Sequence, residues 1–271
     1  MTEQRIFLWL AQAFYGVSVA LTICRWRAND RATSLHRANH LTMLAGFTLQ
    51  TLFLFFRGME INRCPLTNRF EVLAFIAWSA VLFYLLIGPS YRVSFLGAFT
   101  APLVLIINLA GLVAAPGVTI TRPSATPWVE SHAAIAILAY GAFALSFVLG
   151  VMYVVQERQL KRRRFWPVFL GMPPVEQLDV INARLILTGF AMLTVGMIGG
   201  AISHRITGHT PPGKVLWAVV VWFLYGGILA ARSLWSLRGR RAAVASIMSF
   251  AFLLVTFWLV SLLAEFFGRA R

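Results

Sequence analysis

The stretch His132–Val155 reads HAAIAILAYGAFALSFVLGVMYVV and runs straight into Gln156-Glu157-Arg158-Gln159-Leu160-Lys161-Arg162-Arg163-Arg164. No Asp, Glu, Lys or Arg interrupts the first part, and the second is strongly basic. A bilayer core about 30 Å thick takes roughly 20 apolar residues of helix to cross. The run is long enough to span, and the basic block behind it marks where the chain leaves the hydrocarbon.

Seven more stretches have the same character. They are Ile6–Cys24, His40–Phe56, Val72–Gly88, Val93–Ala115, Leu185–His204, Val215–Ala231 and Ala242–Ala264. None contains Asp, Glu, Lys or Arg. The whole sequence is 59% hydrophobic and 12% charged, against about 25% charged in a soluble domain. The fold class predicted is all-α: a polytopic membrane protein of about eight transmembrane helices in one bundle, with residues 1–271 as a single transmembrane domain. Ile6–Cys24 is read as a helix of the mature protein and not a signal peptide. Arg25, Arg27 and Arg31 follow it as a stop-transfer flank, and no small-residue cleavage pattern stands out.

The net charge of +15 does not point to nucleic acid, because the basic residues sit between the spans, where Lys and Arg set topology. The segments after spans 1, 3, 5 and 7 hold 15 of them and the remaining segments hold 9. This bias predicts a cell (inner) membrane protein with both termini outside the cytoplasm. The longest cytoplasmic segment, Gln156–Arg184, is broken at Gly171-Met172-Pro173-Pro174. A short interfacial helix is expected over Pro174–Ala183.

Cys24 and Cys64 fall at opposite ends of the first helical hairpin, beyond the roughly 7 Å between Cα atoms that a disulfide tolerates. Neither C-x-x-C nor C-x-x-C-H occurs. A thioredoxin-like reductant and a covalent c-type cytochrome are both excluded. The lack of Asp, Glu, Lys and Arg within spans argues against ion-coupled transport. Gln50 and Asn108 read as helix-to-helix hydrogen bonders, and Gly196 and Gly200 as a site of close helix packing.

No catalytic constellation stands out. His36 and His40 fall near the first cytoplasmic loop and are assigned no role. His132, His204 and His209 all fall at the outer membrane face. They are candidate metal ligands, since neutral imidazole binds iron and two can hold a haem from opposite sides. Thr126-Pro127 reads as an N-cap followed by proline at the first helical position. That places His132 in the first turns of its helix, where the dipole disfavours imidazolium. Trp128, Tyr140 and Trp217 are candidate pocket-lining residues, and Arg205 a candidate partner for a propionate. In the outer segment Arg57–Glu71, Asn68 with Glu71 three residues on reads as a capping box.

Several stretches together carry a resemblance. They are C-P-L-T-N-R-F-E-V-L-A-F-I-A-W, holding Pro65, Asn68, Glu71 and Trp78; His132 with Tyr140 and the later Y-V-V-Q-E-R-Q-L-K; L-D-V-I-N-A-R-L-I-L-T-G-F-A-M-L-T-V-G-M-I-G-G; and W-F-L-Y-G-G-I-L-A-A-R before R-G-R-R-A-A. From about Gly58 to Arg241 the chain resembles CcsA/ResC/HemX-type cytochrome c assembly proteins. The resemblance implies non-covalent contact with haem at the outer face. The best-known members bind haem at an outer Trp-rich loop and deliver it to apocytochrome c. Here W-G-x-x-W-x-W-D is absent, and A-I-S-H-R-I-T-G-H-T-P-P-G-K-V-L occupies its place. Ala230 stands where a span-7 histidine is expected, and the C-terminal histidine is missing. The shorter HemX/YpjD-like branch is the nearer match. The partners implied are haem and either a partner membrane protein of cytochrome c assembly or a tetrapyrrole-synthesis enzyme regulated from the cytoplasmic side. Transport of haem or another small molecule is a further alternative.

Overall fold

A computed structural model describes residues 2–28, 33–91, 96–113, 127–162, 172–207 and 212–269. These form eight helices: α1 (Thr2–Ala28), α2 (Thr33–Ile61), α3 (Arg69–Tyr91), α4 (Leu96–Val113), α5 (Pro127–Arg162), α6 (Val175–Thr207), α7 (Pro212–Leu234) and α8 (Arg240–Arg269). Each expected span lies on its own helix. Seven are long and apolar enough to cross a membrane. The exception is α4, with 18 residues, or about 27 Å at 1.5 Å per residue. Of the expected span Val93–Ala115, residues 93–95, 114 and 115 lie outside the described residues.

The helices run past the apolar spans because nothing in the flanks breaks them. Helix α2 continues through Arg57 to Ile61, which cuts the expected outer segment Arg57–Glu71 to a short turn. His36 consequently falls within α2. The expected separate helix over Pro174–Ala183 is instead the first part of α6. Its polar side chains face protein. The Asp179 carboxylate accepts from both terminal guanidinium nitrogens of Arg232, at 3.0 and 2.8 Å. Asn182 accepts from Ser146 at 2.6 Å and donates to Ser246 at 2.9 Å. This segment joins α5, α7 and α8, so it belongs to the bundle and not to the bilayer surface.

Glycine sets the closest approaches between helices. A Cβ on Gly141 of α5 would collide with Ser79 Cβ of α3, and one on Gly196 of α6 would fall 2.9 Å from Ala136 Cβ of α5. The expectation of close packing at Gly196 is met, with α5 as the neighbour. The core between them holds Leu73, Ile76, Phe143, Leu145, Leu149, Leu193 and Tyr225.

Gln50 and Asn108 also behave as expected. Tyr15 of α1 donates to Gln50 Oε1 of α2 at 2.9 Å. Gln50 Nε2 donates to the Ala74 carbonyl of α3 at 2.8 Å and to Asn108 Oδ1 of α4 at 3.2 Å. Four helices thus meet at one amide, which satisfies polar groups that hydrocarbon cannot. Among the described residues, Leu234 and Trp235 are the most exposed large apolar ones. They stand beside exposed Arg238, Arg240 and Arg241, the pattern of an interfacial anchor.

Candidate functional site at one end of the bundle

The α2–α3 turn, the start of α5 and the end of α6 share one end of the molecule. Helix α3 is capped by Asn68, whose Oδ1 accepts from the Glu71 amide at 2.8 Å. The return half of the expected capping box is shifted by one residue. Glu71 Oε2 accepts from the Thr67 amide at 2.8 Å and its hydroxyl at 2.6 Å, while Oε1 accepts from Arg57 Nε at 2.7 Å. The carboxylate turns away from the Asn68 amide because a buried guanidinium competes for it. Arg57 also reaches Glu60 at 2.6 Å. Sequence reading missed this pair because both residues lie just outside the apolar spans.

Between the caps, the turn is tightly determined. Asn62 adopts a positive φ of 49°, which Asn tolerates better than most residues. Arg63 N donates to the Gly58 carbonyl at 3.1 Å, and Leu66 N to the Cys64 carbonyl at 2.8 Å. Pro65 fixes φ between them. Across the gap to α5, Cys64 N donates to Glu130 Oε2 at 2.9 Å. Burial pushes the half-buried Cys64 thiol up to about 11, and the Glu130 and Glu71 carboxylates push the same way. Cys24 and Cys64 are both free thiols.

Helix α5 begins at Pro127 as expected, while Thr126 lies outside the described residues. His132 is half-buried, and its Nδ1 lies 3.2 Å from the Trp128 carbonyl one turn back. A carbonyl oxygen can only accept, so Nδ1 carries the hydrogen in this contact. In neutral imidazole, Nε2 then holds the lone pair. The ring lies on the glycine face of α6. A Cβ on Gly199 would sit 2.8 Å from His132 Cβ, and one on Gly200 would sit 3.6 Å from His132 Nε2. Gly200 and His204 are one turn apart on the same face of α6.

The other candidates divide. Trp128 is 52% exposed, and its carbonyl is what the His132 ring meets. Tyr140 and Trp217 come together edge to face, with ring centroids 5.8 Å apart. Tyr140 is eight residues beyond His132, or about 12 Å along the helix. The Trp217 indole N–H is held by Thr256 at 2.8 Å. Trp78 donates to Thr51 at 2.8 Å and stacks on Phe47, a packing role inside the bundle. His204 and Arg205 lie on α6, but their side chains fall outside the described ones, and His209 lies outside the described residues altogether. Among the described residues no three His, Cys, Asp or Glu side chains gather as a metal site. His40, assigned no role, has its Nδ1 3.3 Å from the Tyr84 hydroxyl.

Residues 66–267 match the family described as cytochrome C assembly protein. The chain belongs to the cytochrome c assembly protein family. Protein HemX of Bacillus subtilis (strain 168) is 30% identical over 226 residues, covering 81% of this chain and 82% of HemX. The cytochrome c biogenesis protein CcsA of Synechococcus sp. (strain RCC307) is 26% identical over 264 residues, covering 85% and 84%. CcsA of Guillardia theta is 25% identical over 251 residues, covering 84% and 82%. The family match opens inside the Cys64–Thr67 turn and takes in α3, α4, α5, α6 and α7 whole. With its apolar helices of spanning length, this cytochrome c assembly family member is a multi-pass membrane protein.

Proposed function

We propose that the chain acts in cytochrome c biogenesis by handling haem, held non-covalently at the outer end of the bundle by His132 and by His204 or His209. The observation that carries this reading is the placement of His132. Its Nδ1 is engaged by the Trp128 carbonyl, and its Nε2 lies on the face of α6 that leads one turn on to His204. A histidine whose second nitrogen is fixed by a carbonyl is the usual arrangement of an imidazole ligand. The missing side chain of Gly200 leaves room beside Nε2 that a Cβ would narrow. These residues fit an iron-bound tetrapyrrole on the His132 side. Haem, when held there, supplies the cargo for attachment to a cytochrome.

The chain's own residues have simple tasks in this reading. His132 offers a lone pair. Arg205 offers a cation for a propionate. The paired rings of Tyr140 and Trp217 offer apolar contact deeper in the bundle. The protein sits as one transmembrane domain in the inner membrane with both termini outside the cytoplasm, a reading supported by the split of 15 basic residues against 9. Its partner is a membrane protein of the same assembly process.

The test is the absorption spectrum of protein purified from a haem-replete host. A Soret band that shifts or disappears in His132→Ala and in His204→Ala or His209→Ala, with folding retained, is the expected result. An unchanged spectrum in all three variants overturns the ligand assignment. Colourless protein that co-purifies with a tetrapyrrole-synthesis enzyme replaces this reading with regulation of that enzyme. Haem flux in proteoliposomes replaces it with transport.

A further inference from the structure

We propose that Glu130 is a positioning residue, which fastens the Cys64-Pro65-Leu66-Thr67 turn onto the first turn of α5 and thereby sets where His132 stands against α6. The link to a ligand rests on the haem reading above; the fastening itself does not.

The argument begins with the end of α5. The first turn of any helix has amides without intrahelical partners and frays most easily. His132 is the sixth residue of α5, and the carbonyl that orients its ring belongs to Trp128, in that first turn. Whatever steadies the turn steadies the imidazole. Glu130 lies in the same turn, and its carboxylate accepts from the Cys64 amide, 66 residues away in sequence. A carboxylate there is also favoured by the helix dipole.

The thing grasped is stiff enough to serve as a strut. At one end the turn is tied to α2 by the Arg63 amide on the Gly58 carbonyl. At the other, Glu71 takes both the amide and the hydroxyl of Thr67, and is itself buried against Arg57. Pro65 and the hydrogen bond from Leu66 N to Cys64 O leave little freedom between. Two carboxylates from two helices thus hold the same four residues. Glu71 ties them to α3, and Glu130 ties α5 to them. On its far side His132 is stopped by Gly199 and Gly200. The imidazole is located between a strut and a glycine wall. The C-P-L-T-N-R-F-E motif acquires a role beyond starting α3: it carries the anchorage of the α5 entrance.

The experiment uses the full chain in a Cys24→Ser background, with Glu130→Ala and Glu130→Gln. Glutamine keeps an oxygen acceptor for the Cys64 amide. Two rates and one ratio are read: the rate of maleimide labelling of Cys64, the rate of carbethoxylation of His132 followed by mass spectrometry, and, in haem-loaded protein, the ratio of six- to five-coordinate haem. Glu130→Ala is expected to speed labelling of Cys64 and modification of His132 about fivefold, the scale of one lost hydrogen bond, and to lower the six-coordinate fraction. Glu130→Gln is expected to restore all three. Unchanged Cys64 labelling in Glu130→Ala overturns the fastening. Faster Cys64 labelling with unchanged His132 reactivity overturns the positioning role. Absence of haem from the parent protein overturns the haem reading and leaves the two labelling rates to decide this one. Should Glu130→Ala fail to fold, Glu130→Leu, which fills similar volume, carries the same comparison.

Discussion

Arg57 and Glu71 form a buried ion pair at the end of the bundle, with Nε to Oε1 at 2.7 Å and side chains only 8% and 1% exposed. The pair joins α2 to α3 just outside the apolar stretches of both helices. Glu71 is satisfied on both oxygens, by Arg57 and by Thr67. Breaking such a pair leaves a desolvated charge without its counter-ion, which costs about 3–5 kcal/mol. Arg57→Leu is therefore expected to lower the unfolding midpoint in mild detergent sharply, and Arg57→Leu with Glu71→Leu to recover part of the loss. A single variant as stable as the parent would contradict the burial described.

The Asn68 cap is a smaller term. Asn68→Ala removes the acceptor for the Glu71 amide and is expected to cost about 1 kcal/mol. Haem content per folded molecule should not change. Loss of haem from folded Asn68→Ala protein would show that this residue touches the ligand.

Gly199 tests the wall behind His132. Valine there would place a Cβ 2.8 Å from the His132 Cβ, so α5 and α6 must part. The expected cost is about 1–3 kcal/mol, as for overpacked cores. Gly227→Ala, with nothing within 4 Å of the added carbon, serves as the control and should leave the unfolding midpoint unchanged or higher. Equal effects of the two would mean that the α5–α6 contact is looser than described.

The charge bias predicts sidedness. A reporter active only outside the cytoplasm should be silent when fused at Arg163 and active when fused at the C-terminus. The opposite pattern would put His132 on the cytoplasmic side and require another haem reading.

Cys64 supplies a pH signature. Burial and two carboxylates all disfavour the thiolate, placing its ionisation at about 11. Only the thiolate reacts with iodoacetamide. In a Cys24→Ser background the alkylation rate should keep climbing with pH up to about 11. A plateau by pH 9 would show that the thiol is freely solvated.

The sequence by itself determined the helices and their number. A charge in hydrocarbon is so costly that 24 Lys and Arg and 9 Asp and Glu must collect between spans, and the spans then read as uninterrupted apolar runs. The glycine face of α6 and the hydrogen-bonding of Gln50 and Asn108 were legible for the same reason: small or amide-bearing side chains have few other uses in a bilayer. Asn68 was legible because a cap acts over three residues. The tertiary structure alone decided which distant groups meet. That Glu130 holds Cys64, that Arg57 draws Glu71 off the cap return, that His132 rests on Gly199 and Gly200 and that Asp179 fastens Arg232 are contacts between separate elements, three of them helix to helix and the first from helix to turn. Their spacing in sequence carries no periodic signal. Only the packing of one helix on another, set by the volumes of all the side chains between, brings each pair within hydrogen-bonding or contact distance.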